Sequence, residues 1–322
     1  MFKKLSSALG ALFVLSTFIT SPAQAVDTST YTLAILDTGL DTSIPAFSGK
    51  FAQEACFSQY QSCPNNSNFM EGVGSAYVPK SWSDTNAVWK HGTEMVSAAI
   101  QTNPNMKILP VRVYSMVMLK DKVTYGTINP TQDRVALALN WVFENRVKYS
   151  IKAVSAPLGF YYARACTVNN NIRDAIIKLN SANIAVSFSS GNNWNYNFTN
   201  EPACIPEAIS VAGLMPDGTV GTYSNLNESV DFAANGTMML TIPGGGTQKE
   251  IGTSVAVVVF GAEWVKIAQA KPTLTYQQEY DLIKYTAQIA TQGKLSKSQI
   301  AGTVTKLPAI NSMQAINQVA QN

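Results

Sequence analysis

The sequence is poor in charge and in histidine, and both shortages exclude classes of protein. Charged residues make up 13% of the 322 residues, and His91 is the only histidine. Two of the 23 lysines and arginines, Lys3 and Lys4, lie in an N-terminal leader, so the rest of the chain carries 21 bases against 20 acids. A balanced chain lacks the positive field that binds nucleic acid or an anionic membrane surface. We therefore expect neither partner.

The chain also lacks the marks of disordered, collagen-like and coiled-coil proteins. It has no low-complexity segment, charge run or internal repeat, and 46% of its residues are hydrophobic, enough for a large core. No apolar stretch reaches the roughly 20 residues that cross a bilayer. Residues 255–261 are apolar all round, but Glu263 and Lys266 follow at once. This stretch is predicted to be a helix buried in a large domain.

The N-terminus has the order of a secretory signal peptide. Lys3 and Lys4 precede an apolar stretch over residues 8–19, and the small-residue triplet Ala23-Gln24-Ala25 follows. This pattern predicts cleavage before Val26. We expect a secreted or periplasmic protein, with residues 1–25 removed and residues 26–322 forming one domain.

Four cysteines, an even number in an exported chain, favour disulfide bonds. Four cysteines allow three pairings, and the short spacing of Cys56 and Cys63 favours Cys56–Cys63 together with Cys166–Cys204. A zinc site is the alternative. It is disfavoured because the sequence has no C-x-x-C motif and a single histidine.

The mature sequence alternates short β-branched runs with amphipathic stretches of helical length. Five runs are predicted to be buried strands, at 32–37, 107–113, 152–156, 184–188 and 208–212. Stretches 92–101, 131–148 and 170–183 have helical spacing, and a long helix from Thr253 is followed by two more near the end. This alternation predicts an α/β fold, a doubly wound, mostly parallel central sheet with helices on both faces.

Three segments place a reactive side chain at the edge of a regular element. Asp37 ends an apolar strand, His91 opens a helix, and Ser254 enters the start of the buried helix after Gly252. Taken singly, such residues are usually turn, structural and helix-capping residues. Together they supply an acid, a base and a nucleophile, and a helix N-terminus suits a serine that develops negative charge.

Asp, His and Ser occur in the same order along the chain as in subtilisin, and the motifs around them match as well. The chain resembles the subtilisin-like serine proteases, or subtilases, from Tyr31 to about Gln318. The family's D-[ST]-G, H-G-T, G-N and G-T-S-x-A motifs correspond, in this order, to Asp37-Thr38-Gly39, His91-Gly92-Thr93, Gly191-Asn192 and Gly252-Thr253-Ser254-Val255-Ala256.

The resemblance implies an Asp-His-Ser triad. Asp37 would orient His91, His91 would act as general base, and Ser254 would be the nucleophile. Asn192 and the Ser254 N–H would hold the oxyanion. An ordinary histidine titrates at about pH 6.5, so activity is expected to rise with pH near that value.

The resemblance also suggests substrate-binding and metal-binding positions. Pro157-Leu158-Gly159 matches the family's peptide-binding edge strand, and Gly126, in a loop, would form the opposite wall. Asp41 matches a carboxylate that often binds calcium in the family, but a calcium loop after the histidine helix is missing. Calcium needs six or more oxygen ligands, so no metal and no cofactor is expected. The chain also shows no recognisable pro-domain, and Val258 and Val259 replace the family's usual proline and histidine.

Two other functions remain open from the sequence. Leu36-Asp37-Thr38-Gly39 also fits an aspartic protease, although no second Asp-Thr-Gly or Asp-Ser-Gly is present. A subtilase-like protein could instead bind peptides without hydrolysing them. The main expectation is a monomeric serine endopeptidase that acts on polypeptides.

Overall fold

The computed structural model describes residues 27–161, 165–167, 170–291 and 306–321. The predicted signal peptide lies outside the described residues. The strands are β1 (Thr32–Asp37), β2 (Ala55–Phe57), β3 (Phe69–Glu71), β4 (Lys107–Arg112), β5 (Ser115–Met118), β6 (Tyr125–Ile128), β7 (Ile151–Ala156), β8 (Ala185–Ser189), β9 (Ile209–Leu214), β10 (Phe232–Asn235), β11 (Thr237–Thr241), β12 (Thr247–Ile251), β13 (Gln288–Thr291) and β14 (Lys306–Ala309). The α-helices are α1 (Lys80–Thr85), α2 (His91–Thr102), α3 (Gln132–Asn145), α4 (Asn170–Ser181), α5 (Thr253–Ala270), α6 (Tyr276–Thr286) and α7 (Ser312–Ala320).

Ten of these strands form one sheet, in the order β13-β14-β10-β9-β8-β7-β1-β4-β2-β3. All inner pairs are parallel, and only the pairs at the two edges, β2 with β3 and β13 with β14, are antiparallel. Two hairpins, β5–β6 and β11–β12, stand apart from this sheet. The arrangement confirms the predicted α/β fold with a mostly parallel central sheet.

Helices cover both faces of the sheet because its central strands are apolar on both sides. In β1, Leu33 and Ile35 join a core with α2 and α5, whereas Ala34 and Leu36 join a second core with α3 and α4. All six residues of β1 are buried. A continuous apolar strand of this kind is typical of a parallel sheet.

The five predicted strands and the long helix are confirmed, with ends shifted by one or two residues. The helix predicted at 131–148 is shorter and ends at Asn145. Among the described helices, α5 alone has the length and apolar composition to cross a bilayer, but most of it is buried inside the protein. It is the central helix of one core, as predicted for residues 255–261, and the two charged residues Glu263 and Lys266 lie within it.

The structure pairs Cys56 with Cys63 and Cys166 with Cys204, and the Cα atoms lie 5.9 and 5.8 Å apart. Both predicted disulfides are therefore present. The first closes a short loop beyond β2, and the second joins the chain after β7 to the chain before β9.

Candidate active site

Asp37 and His91 are brought together by hydrogen bonds between the chain after β1 and the start of α2. Asp37 is the last residue of β1, and His91 is the first residue of α2. The Thr38 hydroxyl accepts a hydrogen bond from the Gly92 N–H at 3.0 Å, and the Thr93 hydroxyl accepts one from the Asp41 N–H at 3.0 Å. These bonds explain the two threonines of the D-T-G and H-G-T motifs.

The two glycines of these motifs are required by close packing. Gly39 has a φ of +89°, and a Cβ there would lie 2.5 Å from the Ala76 carbonyl oxygen. A Cβ on Gly92 would overlap the Gly39 carbonyl oxygen. A larger residue at Gly92 would push the start of α2 away from the end of β1 and disturb the Asp37–His91 contact, whereas one at Gly39 would push the turn after β1 away from the chain at Ala76.

The imidazole of His91 bonds to the carboxylate of Asp37. Nδ1 lies 2.9 Å from Oδ1 and 2.8 Å from Oδ2. Asp37 is buried, and 31% of the His91 side chain is exposed. Burial acts to lower the pKa of His91, but the charge and hydrogen bond of Asp37, with the charges of Glu94 and Glu250, outweigh it. The pKa of His91 is therefore raised above its ordinary value, so the ring is a stronger base.

Ser254 is the second residue of α5. The first N–H groups of a helix have no carbonyl partners within it, and this end carries partial positive charge. The Ser254 hydroxyl donates to the carbonyl oxygen of Pro157 at 3.4 Å, and no hydrogen bond joins it to His91. Pro157 and His91 line the same cavity, so the hydroxyl contacts a residue in the wall of the cavity that the ring lines.

Asn192 is held beside the start of α5 by its oxygen. Its Oδ1 accepts from the N–H of Thr253 at 3.0 Å and from the Thr253 hydroxyl at 2.9 Å. Within the described part of the chain, Nδ2 makes no hydrogen bond, and it lies beside Gly252. The arrangement leaves an N–H₂ donor next to the helix N-terminus.

A second asparagine, which the sequence analysis missed, shapes the loop that carries Asn192. Asn225 is fully buried, and its Oδ1 accepts from the N–H groups of Asn193 and Asn195 at 2.9 and 3.1 Å. Its Nδ2 donates to Asn200 at 3.1 Å. The only signal in the sequence is the number of asparagines in this region, which also fits a simple turn.

Of the predicted substrate-binding residues, Pro157 lines the cavity beside His91, and Leu158 and Gly159 follow it along the chain. Pro157, Leu158 and Gly159 follow β7 directly and lie outside the described strands. Pro157 accepts the Ser254 hydroxyl, and the Leu158 carbonyl accepts from Ser189 at 3.3 Å. This segment therefore forms a wall against the start of α5.

The prediction that Gly126 lies in a loop is wrong. Gly126 is buried within β6 and pairs with Val117 of β5. A Cβ at Gly126 would lie 2.8 Å from Cδ2 of Leu119. The hairpin was missed because most of its residues are partly exposed and show no apolar period.

The cavity beside His91 holds two carboxylates that the sequence analysis did not select. The cavity has a volume of about 410 Å³, and Glu94 and Glu250 line it. Glu94 lies one helical turn after His91, and Glu250 lies in β12, just before the Ser254 motif. A second cavity of about 430 Å³ lies next to the Cys56–Cys63 loop and includes none of the predicted site residues in its wall.

The carboxylate of Asp41 makes hydrogen bonds within the fold. Its Oδ1 accepts from the N–H and hydroxyl of Ser43, and its Oδ2 accepts from the Gly244 N–H at 3.0 Å. These bonds hold the chain after β1 against the turn at Gly244. Within the described residues, no group of three or more acidic, histidine or cysteine side chains could hold a metal ion.

Comparison with known sequences places the chain in one family. A sequence profile of the subtilase family, peptidase S8, matches residues 28–305. Subtilisin NAT of Bacillus subtilis subsp. natto and subtilisin of Bacillus pumilus are each 22% identical over 269 residues, which is 82% of this chain. The match covers 62% of subtilisin NAT, less than two thirds of its length, and 86% of the Bacillus pumilus protein.

Solved structures agree at the level of the fold. A protease from Pseudoalteromonas arctica superposes with a TM-score of 0.70 and 18% identity, covering 90% of each chain. A cold-adapted subtilisin-like serine proteinase gives a TM-score of 0.62 at 20% identity, covering 89% of this chain and 91% of its own. With the profile match over most of the sequence, the chain belongs to the subtilase family, peptidase S8.

Proposed function

We propose that the mature chain is an exported serine endopeptidase that hydrolyses polypeptides through an acyl-enzyme intermediate. The observation that carries this proposal is the His91–Asp37 pair, with Nδ1 2.8 Å from the nearer carboxylate oxygen, in a cavity whose wall residue Pro157 accepts the hydroxyl of Ser254. The two disulfides support export because such bonds persist in oxidising compartments. Residues 26–322 would form the catalytic domain.

In the proposed mechanism, His91 acts first as base and then as acid. Asp37 accepts the Nδ1 hydrogen, which leaves Nε2 to take the hydroxyl proton as Ser254 Oγ attacks the peptide carbonyl. The C–N bond then breaks, and His91 returns the proton to the leaving amine. Water attacks the remaining ester with His91 again as base, and this releases the acid and regenerates Ser254.

Asn192 would stabilise the negative charge that develops on the carbonyl oxygen. The Thr253 contacts fix its Oδ1, so its N–H₂ group is the donor left for an oxyanion. The Ser254 N–H, in the first turn of α5, would be the second donor. Two preorganised donors of this type favour the transition state over the bound substrate.

One contact favours a second candidate function, peptide binding without hydrolysis. The Ser254 hydroxyl donates to Pro157 and is not bonded to His91. A serine without a base is a weak nucleophile. Catalytic hydrogen bonds are often long before substrate binds and shorten in the complex, so this contact is also compatible with an active enzyme.

Labelling with a fluorophosphonate separates the two functions. We expect the wild-type protein to be labelled on Ser254 alone, and Ser254→Ala to lose labelling while its circular dichroism spectrum is unchanged. Ser97→Ala, at another serine in the same part of the fold, is the control and should be labelled like wild type. A folded wild-type protein that resists the reagent would favour peptide binding without hydrolysis.

A further inference from the structure

Two carboxylates from distant parts of the sequence meet in the cavity beside His91. Glu94 comes from the first turn of α2, and Glu250 comes from β12. Both line the cavity of about 410 Å³ that also contains His91 and Pro157. Both residues raise the pKa of His91 by their charge, but neither forms or breaks a bond in the proposed chemistry, and the unpartnered oxygen of Glu94 points to a second role.

Glu94 is a buried acid without full hydrogen bonding. Its residue is 5% exposed, and its Oε1 has no hydrogen-bond partner. Burial and the nearby charge of Glu250 raise the pKa of Glu94 to about 7. A buried carboxylate oxygen without a donor is unfavourable unless a ligand supplies one.

The structure supplies no cation within ion-pair distance of these two carboxylates, as far as the described residues extend. Lys90 also lines the cavity, and its charge acts to lower the pKa of Glu94, but its ammonium donates to Oε1 of Gln248 at 3.2 Å and forms no ion pair with either carboxylate in the described part of the chain. Two carboxylates are too few for calcium, which needs six or more oxygens. A single organic cation, whose N–H groups can donate to the two carboxylates, fits this site better.

The position of the cavity beside His91 indicates which part of a substrate enters it. This step rests on the proposed function, in which His91 returns a proton to the leaving amine. The residue after the scissile bond must therefore pass beside His91, whereas the Pro157 wall lies against the start of α5. Ala87 and Val88 also line the cavity, and their apolar surface suits the methylene stem of a long basic side chain.

We propose that Glu94 and Glu250 form an acidic subsite that accepts a lysine or arginine side chain immediately after the scissile bond of the substrate. Glu250 is the partly exposed carboxylate at the rim, and Glu94 is the buried one beneath it. The bound cation donates to the oxygens that are now without partners. The enzyme then prefers polypeptides with a basic residue at this position.

The test uses two peptides that differ only after the scissile bond, one with lysine and one with its neutral analogue norleucine. Mass spectrometry of the products fixes the bond that is cleaved. Hydrogen bonds to charged groups predict a kcat/KM about 10- to 100-fold higher for the lysine peptide. Glu250→Gln and Glu94→Gln should each bring the ratio of the two peptides towards one. Glu144→Gln, an exposed acid on α3, is the matched control and should keep the wild-type ratio.

A charge reversal guards against a purely structural explanation. Glu250→Lys should cleave a peptide with glutamate at this position faster than the lysine peptide, because the sign of the rim charge has changed. Equal kcat/KM of the wild type for the two peptides would overturn the subsite while leaving the endopeptidase intact. The subsite would also be overturned if Glu250→Gln, Glu94→Gln and Glu250→Lys all kept the wild-type ratio. Failure of the proposed function looks different, since neither peptide is then cleaved and Ser254 is not labelled.

Discussion

The base strength of His91 is set by three carboxylates. Asp37 contacts the ring directly, whereas Glu94 and Glu250 act by charge through the cavity. Together they outweigh the effect of burial and raise the pKa of the imidazole. A histidine with a raised pKa stays protonated to higher pH, and the protonated ring cannot act as the base.

This leads to a prediction for the pH dependence of activity. The rising limb of kcat/KM should lie above the ordinary histidine value of about 6.5. Glu94→Gln removes one of the charges that raise the pKa, so the limb of this variant should move to lower pH. Measuring kcat/KM of the wild type and of Glu94→Gln for a neutral peptide substrate from pH 5 to 9 gives the position of both limbs. A wild-type limb at or below 6.5, or a limb that Glu94→Gln does not move, would contradict this account.

The residues that the sequence analysis found and those that it missed differ in a physical way. Asp37, His91 and Ser254 stand in local motifs where a reactive side chain ends or begins an element. Glu94 and Glu250 belong to ordinary polar positions of a helix and a strand. Their significance comes only from the meeting of α2 and β12 in space, which no local pattern encodes.

At the scale of elements, the buried strands and helices were predictable, and the hairpins were not. The strands of the central sheet are continuous apolar runs, which periodicity detects. In β12 four of the five residues are exposed, and in β6 three of four are partly exposed. Such strands are held by backbone pairing, and their side chains show little of the apolar pattern that predicts a strand.

The packing of α5 on the sheet depends on a glycine in the middle of the helix. A Cβ on Gly261 would overlap the Ser155 hydroxyl and lie 2.9 Å from Cδ1 of Leu33. Ser155 is buried, and its hydroxyl donates to the Val257 carbonyl at 3.0 Å. The small residue therefore lets the helix approach β1 and β7 closely.

We expect Gly261→Ala to destabilise the protein, although alanine is the better helix former. Overpacking a core costs about 1–3 kcal/mol, and the gain in helix propensity offsets about 1 kcal/mol of this. Urea unfolding in a Ser254→Ala background, which prevents self-digestion, measures the free energy of unfolding. In the double variant with Ser155→Ala, part of the lost stability should return, because the hydroxyl that the new Cβ would overlap is gone. A Gly261→Ala variant that is more stable than its background would show that α5 has room for a methyl group at this point.

At the scale of the whole molecule, a predominantly parallel sheet follows from the alternation of strands and helices. The ten-strand order and the antiparallel edges depend on long-range pairing and could not be predicted from the sequence. The disulfide pairs were predicted from spacing and an even count. The cavity itself forms where the end of β1, the start of α2, the chain after β7 and β12 meet, so it exists only in the complete fold.

A buried acid far from the cleft links the stability of the whole molecule to pH. Glu279 of α6 is 4% exposed, and its Oε1 has no hydrogen-bond partner. Burial raises the pKa of Glu279 well above its usual range, although the charge of Lys152 and a hydrogen bond from Trp264 act in the other direction. The folded protein therefore holds this proton to higher pH than the unfolded chain does.

The sign of the effect of Glu279 follows from proton linkage. A carboxyl group with a raised pKa in the folded state contributes its full stability below the unfolded pKa of about 4.5, and this contribution is lost as pH rises towards the folded pKa. Glu279→Gln stays neutral, so in the Ser254→Ala background it should raise Tm at pH 8, and the gain should shrink as pH falls to 5. Asp281→Asn, an exposed acid on the same helix, should show no such trend. A glutamine variant with a lower Tm at every pH would mean that attraction between Glu279 and Lys152 outweighs the cost of burying the charge.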